Sequence, residues 1–91
     1  MKDEALRYRS AVPTVARIGA YRFFFFSNEG SEPAHIHIQR ERALAKFWLA
    51  PVVLASSSGF PSHELRRLQS IVEENRGRFE EAWREFFTSQ R

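Results

Sequence analysis

The stretch Glu32-Pro33-Ala34-His35-Ile36-His37-Ile38 decides how this chain of 91 residues folds. It alternates polar and apolar residues, the pattern of a β-strand with two different faces. Ile36 and Ile38 point one way, and His35 and His37 point the other. Two strand residues at roughly 3.3 Å each set the two imidazoles about 6.5–7 Å apart on one surface. Two of the chain's three histidines therefore share a face.

Downstream, Arg40-Glu41-Arg42 reads as a charged hairpin turn and Leu44 to Ala50 as the next strand. Ala45, Phe47 and Leu49 form one side of that strand, and Leu44, Lys46, Trp48 and Ala50 the other. So short a hairpin pairs the two strands. With Phe47 and Leu49 joining Ile36 and Ile38 in the core, Lys46 and Trp48 share a surface with His35 and His37. The expectation is that both imidazoles, the Lys46 ammonium and the Trp48 indole open onto common solvent while the isoleucines turn inward.

Upstream, Ser27 to Pro33 is a loop of turn formers carrying Glu29 and Glu32. Tyr21 to Ser27 is a strand with four consecutive phenylalanines, Phe23 to Phe26. Tyr21, Phe23 and Phe25 share one side; Arg22, Phe24 and Phe26 share the other. A strand apolar on both faces is covered on both. A helix covers one, and a second chain as in a homodimer, a bound ligand or the remaining loops cover the other. Gly19-Ala20 is a turn, and Pro13 to Gly19 a short first strand with Val15 and Ile18 packing inward. Residues 1–12 lack a period and read as a mobile extension, in which Arg7 and Arg9 are within reach of a polyanion.

After the Trp48 strand, Pro51 opens a connector anchored by Val52, Val53 and Leu54, followed by a flexible Ser56-Ser57-Ser58-Gly59 turn. Pro61-Ser62 starts a helix with Ser62 as its N-cap and Glu64 in the first turn. Leu65, Leu68, Val72, Asn75, Phe79, Ala82 and Phe86 then step by three and four, one continuous stripe. The phase holds across Gly77, so the pattern predicts one helix, weakened at Gly77 by up to about 1 kcal/mol relative to alanine. At about 26 residues it is roughly 39 Å long. A helix that overruns the sheet leaves Trp83, Phe86 and Phe87 to reach a partner; the simpler reading of all three is core. The class is α+β: an antiparallel sheet of about four strands packed against one long C-terminal helix, a single domain over residues 13–91.

Composition narrows the function classes. The apolar share of 43%, with nine phenylalanines and two tryptophans, supports a real core. The absence of cysteine excludes disulfides and thiolate metal sites and suits a reducing cytoplasm. No apolar run approaches the roughly 20 residues that span a bilayer. Met1-Lys2-Asp3-Glu4 carries acids with no apolar segment behind it, against a signal peptide. Net charge is +3, and the whole excess falls in residues 1–61, the sheet half. That balance suits RNA or an acidic protein surface, and equally ordinary solubility.

In order and spacing, Pro13-Thr14-Val15, Arg17-Ile18-Gly19, Phe23 to Ser27 with Glu29-Gly30, Glu32 to Ile38, Ala45 to Leu49, Gly59-Phe60 and Trp83 to Phe87 form one recognisable set. The set resembles the bacterial family catalogued as domain of unknown function 4160, over roughly residues 13–88. The chain departs from the family at Ala34, where a second proline is usual, and in the extension over residues 1–12. The resemblance implies small cytoplasmic proteins, often encoded beside a second small protein in pairs that look like toxin–antitoxin modules. It implies no particular chemistry.

Three readings of the histidine face follow. The one taken here is a toxin whose metal-independent ribonuclease site needs no cofactor. His35 and His37 exchange protons, Glu32 orients a histidine or acts as a base, and Lys46, Arg22 and Arg40 hold phosphate. Trp48 stacks on a base. The second is a metal site, in which Glu29, Glu32 or His63 completes a shell begun by the His-x-His pair. The third is a binding module for a cognate antitoxin-like protein or nucleic acid. Beside all three stands the plain alternative of strand histidines hydrogen-bonded to Glu29 or Glu32.

Overall fold

The computed structural model describes residues 14–89. The extension expected over residues 1–12, with Arg7 and Arg9, and the opening Pro13 of the first strand lie outside the described residues. Five strands form one antiparallel meander in the order β1-β2-β3-β4-β5: β1 Thr14–Ile18, β2 Tyr21–Phe24, β3 His35–Arg40, β4 Ala43–Leu49 and β5 Val52–Ser58. Two helices, α1 Ser62–Glu74 and α2 Arg76–Ser89, follow. The class is α+β as expected, with one more strand and one more helix than the pattern predicted.

The added strand is β5, read from sequence as a connector and a serine turn. It is an edge strand with almost every residue exposed. No burial alternation marks it, and its backbone is held by pairing with β4, which overrides the weak strand preference of serine. The helix divides at Asn75, two residues before the glycine expected to be its weak point. Asn75 has φ −110° and ψ 14°, its backbone N–H reaches the carbonyls of Ile71 and Val72, and its side-chain amide donates to Ile71 O at 2.8 Å. An asparagine that satisfies the preceding turn itself competes with helix propagation. In β1, a bulge lies between Thr14 and Ala16, and Ala16 is the buried residue while Val15 and Ile18 are half-buried.

The break lets both helices lie on one face of the sheet. Phe23, Phe25, Ile36, Ile38, Phe47 and Leu49 from the sheet side meet Leu68, Val72 and Phe79 from the helices, all essentially without exposure. Each such side chain contributes about 1.5–3 kcal/mol by leaving water. Phe79 stacks on Phe23 with centroids 5.2 Å apart. Trp83, Phe86 and Phe87 take the simpler of their two readings, the core, rather than reaching a partner: they surround Phe25 at 5.2, 6.1 and 6.0 Å. Once the helix is interrupted, its second half no longer overruns the sheet. The covered side of the phenylalanine run is thus Tyr21/Phe23/Phe25, leaving Phe24 and Phe26 on the histidine side.

Ser62 is the first helical residue of α1 rather than its cap; Pro61 occupies the cap position without a side-chain bond. Glu64 in that first turn ties helix to sheet. Its carboxylate accepts from Arg40 Nε at 2.7 Å, from a second Arg40 guanidinium nitrogen at 2.8 Å and from the Tyr21 hydroxyl at 2.6 Å. The Arg40 and then the Tyr21 hydrogen bonds hold the Glu64 carboxyl down at about 2, against the opposing effect of burial.

Candidate active site

Strand pairing assembles the histidine face. On β4, Trp48 stands opposite His35 and Lys46 opposite His37. On β2, Phe24 stands opposite His37 and Arg22 opposite Gln39. His35, His37, Lys46 and Trp48 therefore do share a face, and the isoleucines do turn inward. Their common opening to solvent is the part that must be corrected: His35 is 0% exposed and His37 7%. The loop after β2 folds back so that the 3-10 turn Ser27–Glu29 delivers Glu29 onto both rings. His35 is also closed in by Trp48 at 5.5 Å and Trp83 at 4.8 Å. Alternation says which face a side chain takes; it does not say what crosses over that face.

One carboxylate oxygen, Glu29 Oε1, lies 2.6 Å from His35 Nε2 and 2.8 Å from His37 Nε2. His35 Nδ1–H donates to the Pro33 carbonyl at 2.9 Å. Burial pushes the Glu29 carboxyl up, but the hydrogen bonds from His35 and His37 together outweigh it and leave it below its ordinary value. Burial depresses His37 more than Glu29 restores it, so the ring is neutral at neutral pH. A neutral His37 that gives its Nε2 proton to Glu29 carries a lone pair on Nδ1. Among the described residues no buried side-chain nitrogen or oxygen lacks a partner. His37 Nδ1, which bonds nothing among the described residues, therefore meets solvent.

His37 also lines a cleft of about 220 Å³, together with Phe26, Leu44, Ala45, Lys46 and residues 56–58 of β5. Ser56 pairs with Lys46 and Ser58 with Leu44, which turns both hydroxyls to the histidine side. A bulge between Lys46 and Phe47 re-aims β5 at this point. Lys46 Nζ lies 2.9 Å from Glu32 and 4.5 Å from the Trp48 ring centroid. The cleft thus gathers an imidazole lone pair backed by a carboxylate, an ammonium, two hydroxyls and the apolar walls Phe26 and Leu44. Its volume is below that of drug-sized pockets.

Of the residues expected to act, His37 and Lys46 meet at the cleft, and His35 lies sealed behind them. Glu32, expected to orient a histidine or act as a base, instead pairs with Lys46. It stands 3.7 Å from His35 Nδ1, whose proton goes to Pro33, and Glu29 takes the orienting role. Arg40 is on the opposite face, engaged with Glu64, because even-numbered β3 residues face the helices; it holds no phosphate here. Arg22 is on the correct face but farther along, 4.4 Å over the Phe24 ring and bonded to Thr14 and Gln39. Trp48 flanks Lys46 and borders a second, apolar cleft of about 300 Å³ with Pro33, Ala34 and Val53. His63 is exposed at the start of α1, outside the group formed by Glu29, His35 and His37. Sequence reasoning missed Phe26, Ser56 and Ser58 as cleft walls; the serines carried only a turn signal.

A family model described as a domain of unknown function (DUF4160) matches residues 20–84. No curated protein and no solved structure matches the chain. No helix among the described residues is long and apolar enough to cross a membrane.

Proposed function

The chain belongs to the DUF4160 family, and on that premise we propose that it is the RNA-cleaving toxin of a toxin–antitoxin pair, with the phosphodiester seated in the His37–Lys46 cleft. One observation carries the reading: His37 and Lys46 line the same cleft while Glu29 holds Nε2 of His37. His37 Nδ1 takes the 2′-hydroxyl proton, and the 2′-oxygen attacks phosphorus. A 2′,3′-cyclic phosphodiester forms, and the departing 5′-oxygen is protonated from solvent in the open cleft. Glu29 stabilises the imidazolium that develops on His37, as carboxylates paired with histidine bases do. Lys46 exchanges its contact with half-exposed Glu32 for a non-bridging phosphate oxygen. Phe26 and Trp48 offer ring faces to a nucleobase. His35, shut away from substrate, is a positioning residue that holds Glu29.

The positive excess of the sheet half favours an anionic substrate, and an acidic small protein is the matching antitoxin. Cleavage of single-stranded RNA by the purified chain, in the presence of chelator, is the test. His37→Gln lowers the rate by about 10²–10⁴, the usual worth of a positioned acid–base group, and abolishes growth arrest on induction. Cleavage and arrest that survive His37→Gln refute the reading.

A further inference from the structure

The Glu29 cluster has a proton arrangement that the cleavage step does not use. His35 commits Nδ1–H to Pro33 O. In a neutral ring its Nε2 then presents a lone pair, and that lone pair faces a carboxylate oxygen at 2.6 Å. The contact is attractive only with a proton or a cation between the two atoms. His37 is free to present the same, because its Nδ1 faces solvent and can carry the ring's single proton. Glu29, His35 and His37 each offer one ligand atom within 4.8 Å of the others, and both Nε2 atoms already meet Glu29 Oε1. Two imidazole nitrogens and one carboxylate oxygen, with a backbone carbonyl fixing the tautomer from behind, form the donor set of three-ligand transition-metal sites. Metal bonds of about 2.0–2.2 Å set tetrahedral ligand atoms roughly 3.3–3.6 Å apart. Glu29, on a surface turn, must therefore recede by about 0.5–1 Å while the two ring nitrogens draw toward each other around the ion.

We propose that Glu29, His35 and His37 bind one divalent transition-metal ion of the zinc class through Oε1, Nε2 and Nε2, and that the ion switches off the base at His37. The bound ion takes the Nε2 lone pairs of both rings, so the proton of a neutral His37 sits on Nδ1, with no change of oxidation state. The cleft then meets an N–H where it had met a lone pair. The switch rests on the proposed function; the binding does not.

The test adds zinc chloride alone to chelator-stripped protein. Calorimetry reads stoichiometry, and ¹⁵N NMR reads the histidine tautomers. The expected result is one ion per chain and His37 protonated at Nδ1. Glu29→Gln and His37→Gln, both at the solvent side of the cluster, each weaken binding more than tenfold. His35→Ala abolishes it, and if that variant fails to fold the other two decide. RNA cleavage falls in proportion to occupancy and returns with chelator. Absence of binding up to millimolar zinc, or affinity unchanged in both variants, overturns the site. Cleavage that rises with occupancy overturns the switch. If no condition yields cleavage, the proposed function fails while the binding isotherm still decides the site.

Discussion

Gly30→Ala tests whether α2 sets the position of the loop that carries Glu29. Gly30 has φ −67° and ψ −15°, a conformation alanine adopts freely. On backbone grounds alone the substitution stabilises by about 0.4–1 kcal/mol, through the unfolded chain. The added Cβ, however, stands 2.6 Å from Phe87 Cδ1, 3.1 Å from Cε1 and 3.3 Å from Cγ. Carbon pairs rest at about 3.5–4.0 Å, so the overlap approaches about 1 Å. The Phe87 ring cannot simply withdraw, since its centroid is 4.2 Å from Trp83 and 4.8 Å from Phe86. Such overpacking costs about 1–3 kcal/mol. The net loss is about 1–2 kcal/mol, or roughly 4–16 °C in Tm for a domain of this size. The loop lifts at the residue after Glu29, so cleavage drops with it. In a Phe87→Ala background the clash is gone, and Gly30→Ala becomes neutral or stabilising by up to about 1 kcal/mol. Urea unfolding of the four proteins reads the coupling directly, expected at about 1–3 kcal/mol. Equal effects of Gly30→Ala in both backgrounds refute the reasoning.

Phe79→Ala removes a fully buried ring stacked on Phe23 and costs about 3–5 kcal/mol by urea unfolding; a loss under about 1 kcal/mol contradicts the placement of α2 on the sheet. Arg40→Gln alters stability against pH. With the Glu64 carboxyl moved from 4.5 to about 2, its contribution is complete above about pH 4.5 and is lost as the pH falls toward 2. Urea midpoints from pH 6 to pH 3 drop less steeply in Arg40→Gln than in the native chain, and equal slopes exclude the pairing. RNA cleavage per folded molecule is unchanged in that variant, since Arg40 lies on the helix-facing side of the sheet. Lys46→Arg retains more cleavage than Lys46→Ala when the ammonium acts as a phosphate-holding charge, and equal loss in both shows a packing role instead.

The strand pattern was legible wherever burial alternates. Ile36 and Ile38 against His35 and His37, and Phe47 and Leu49 against Lys46 and Trp48, declare their faces because each face meets a different medium. β5 was not legible, for the opposite reason: both of its faces meet water, and only the backbone of β4 makes it a strand. The stripe of α1 and α2 was readable through Phe86, yet the interruption at Asn75 was not. A side chain that can serve the stripe or bond the preceding turn has its choice made by packing. Arg40 looked like a phosphate ligand because nothing local signals that Glu64, 24 residues later, will occupy it.

Side-chain periodicity alone determined that two imidazoles, an ammonium and an indole stand together, since a strand leaves a residue only two directions. The return of the Ser27–Pro33 loop over that surface belongs to the tertiary structure. It helps seal His35, sets Glu29 between the rings and leaves Nδ1 of His37 without a partner among the described residues. Local sequence governs orientation because orientation is a matter of backbone geometry. Access to water depends on segments that meet only after the chain has folded.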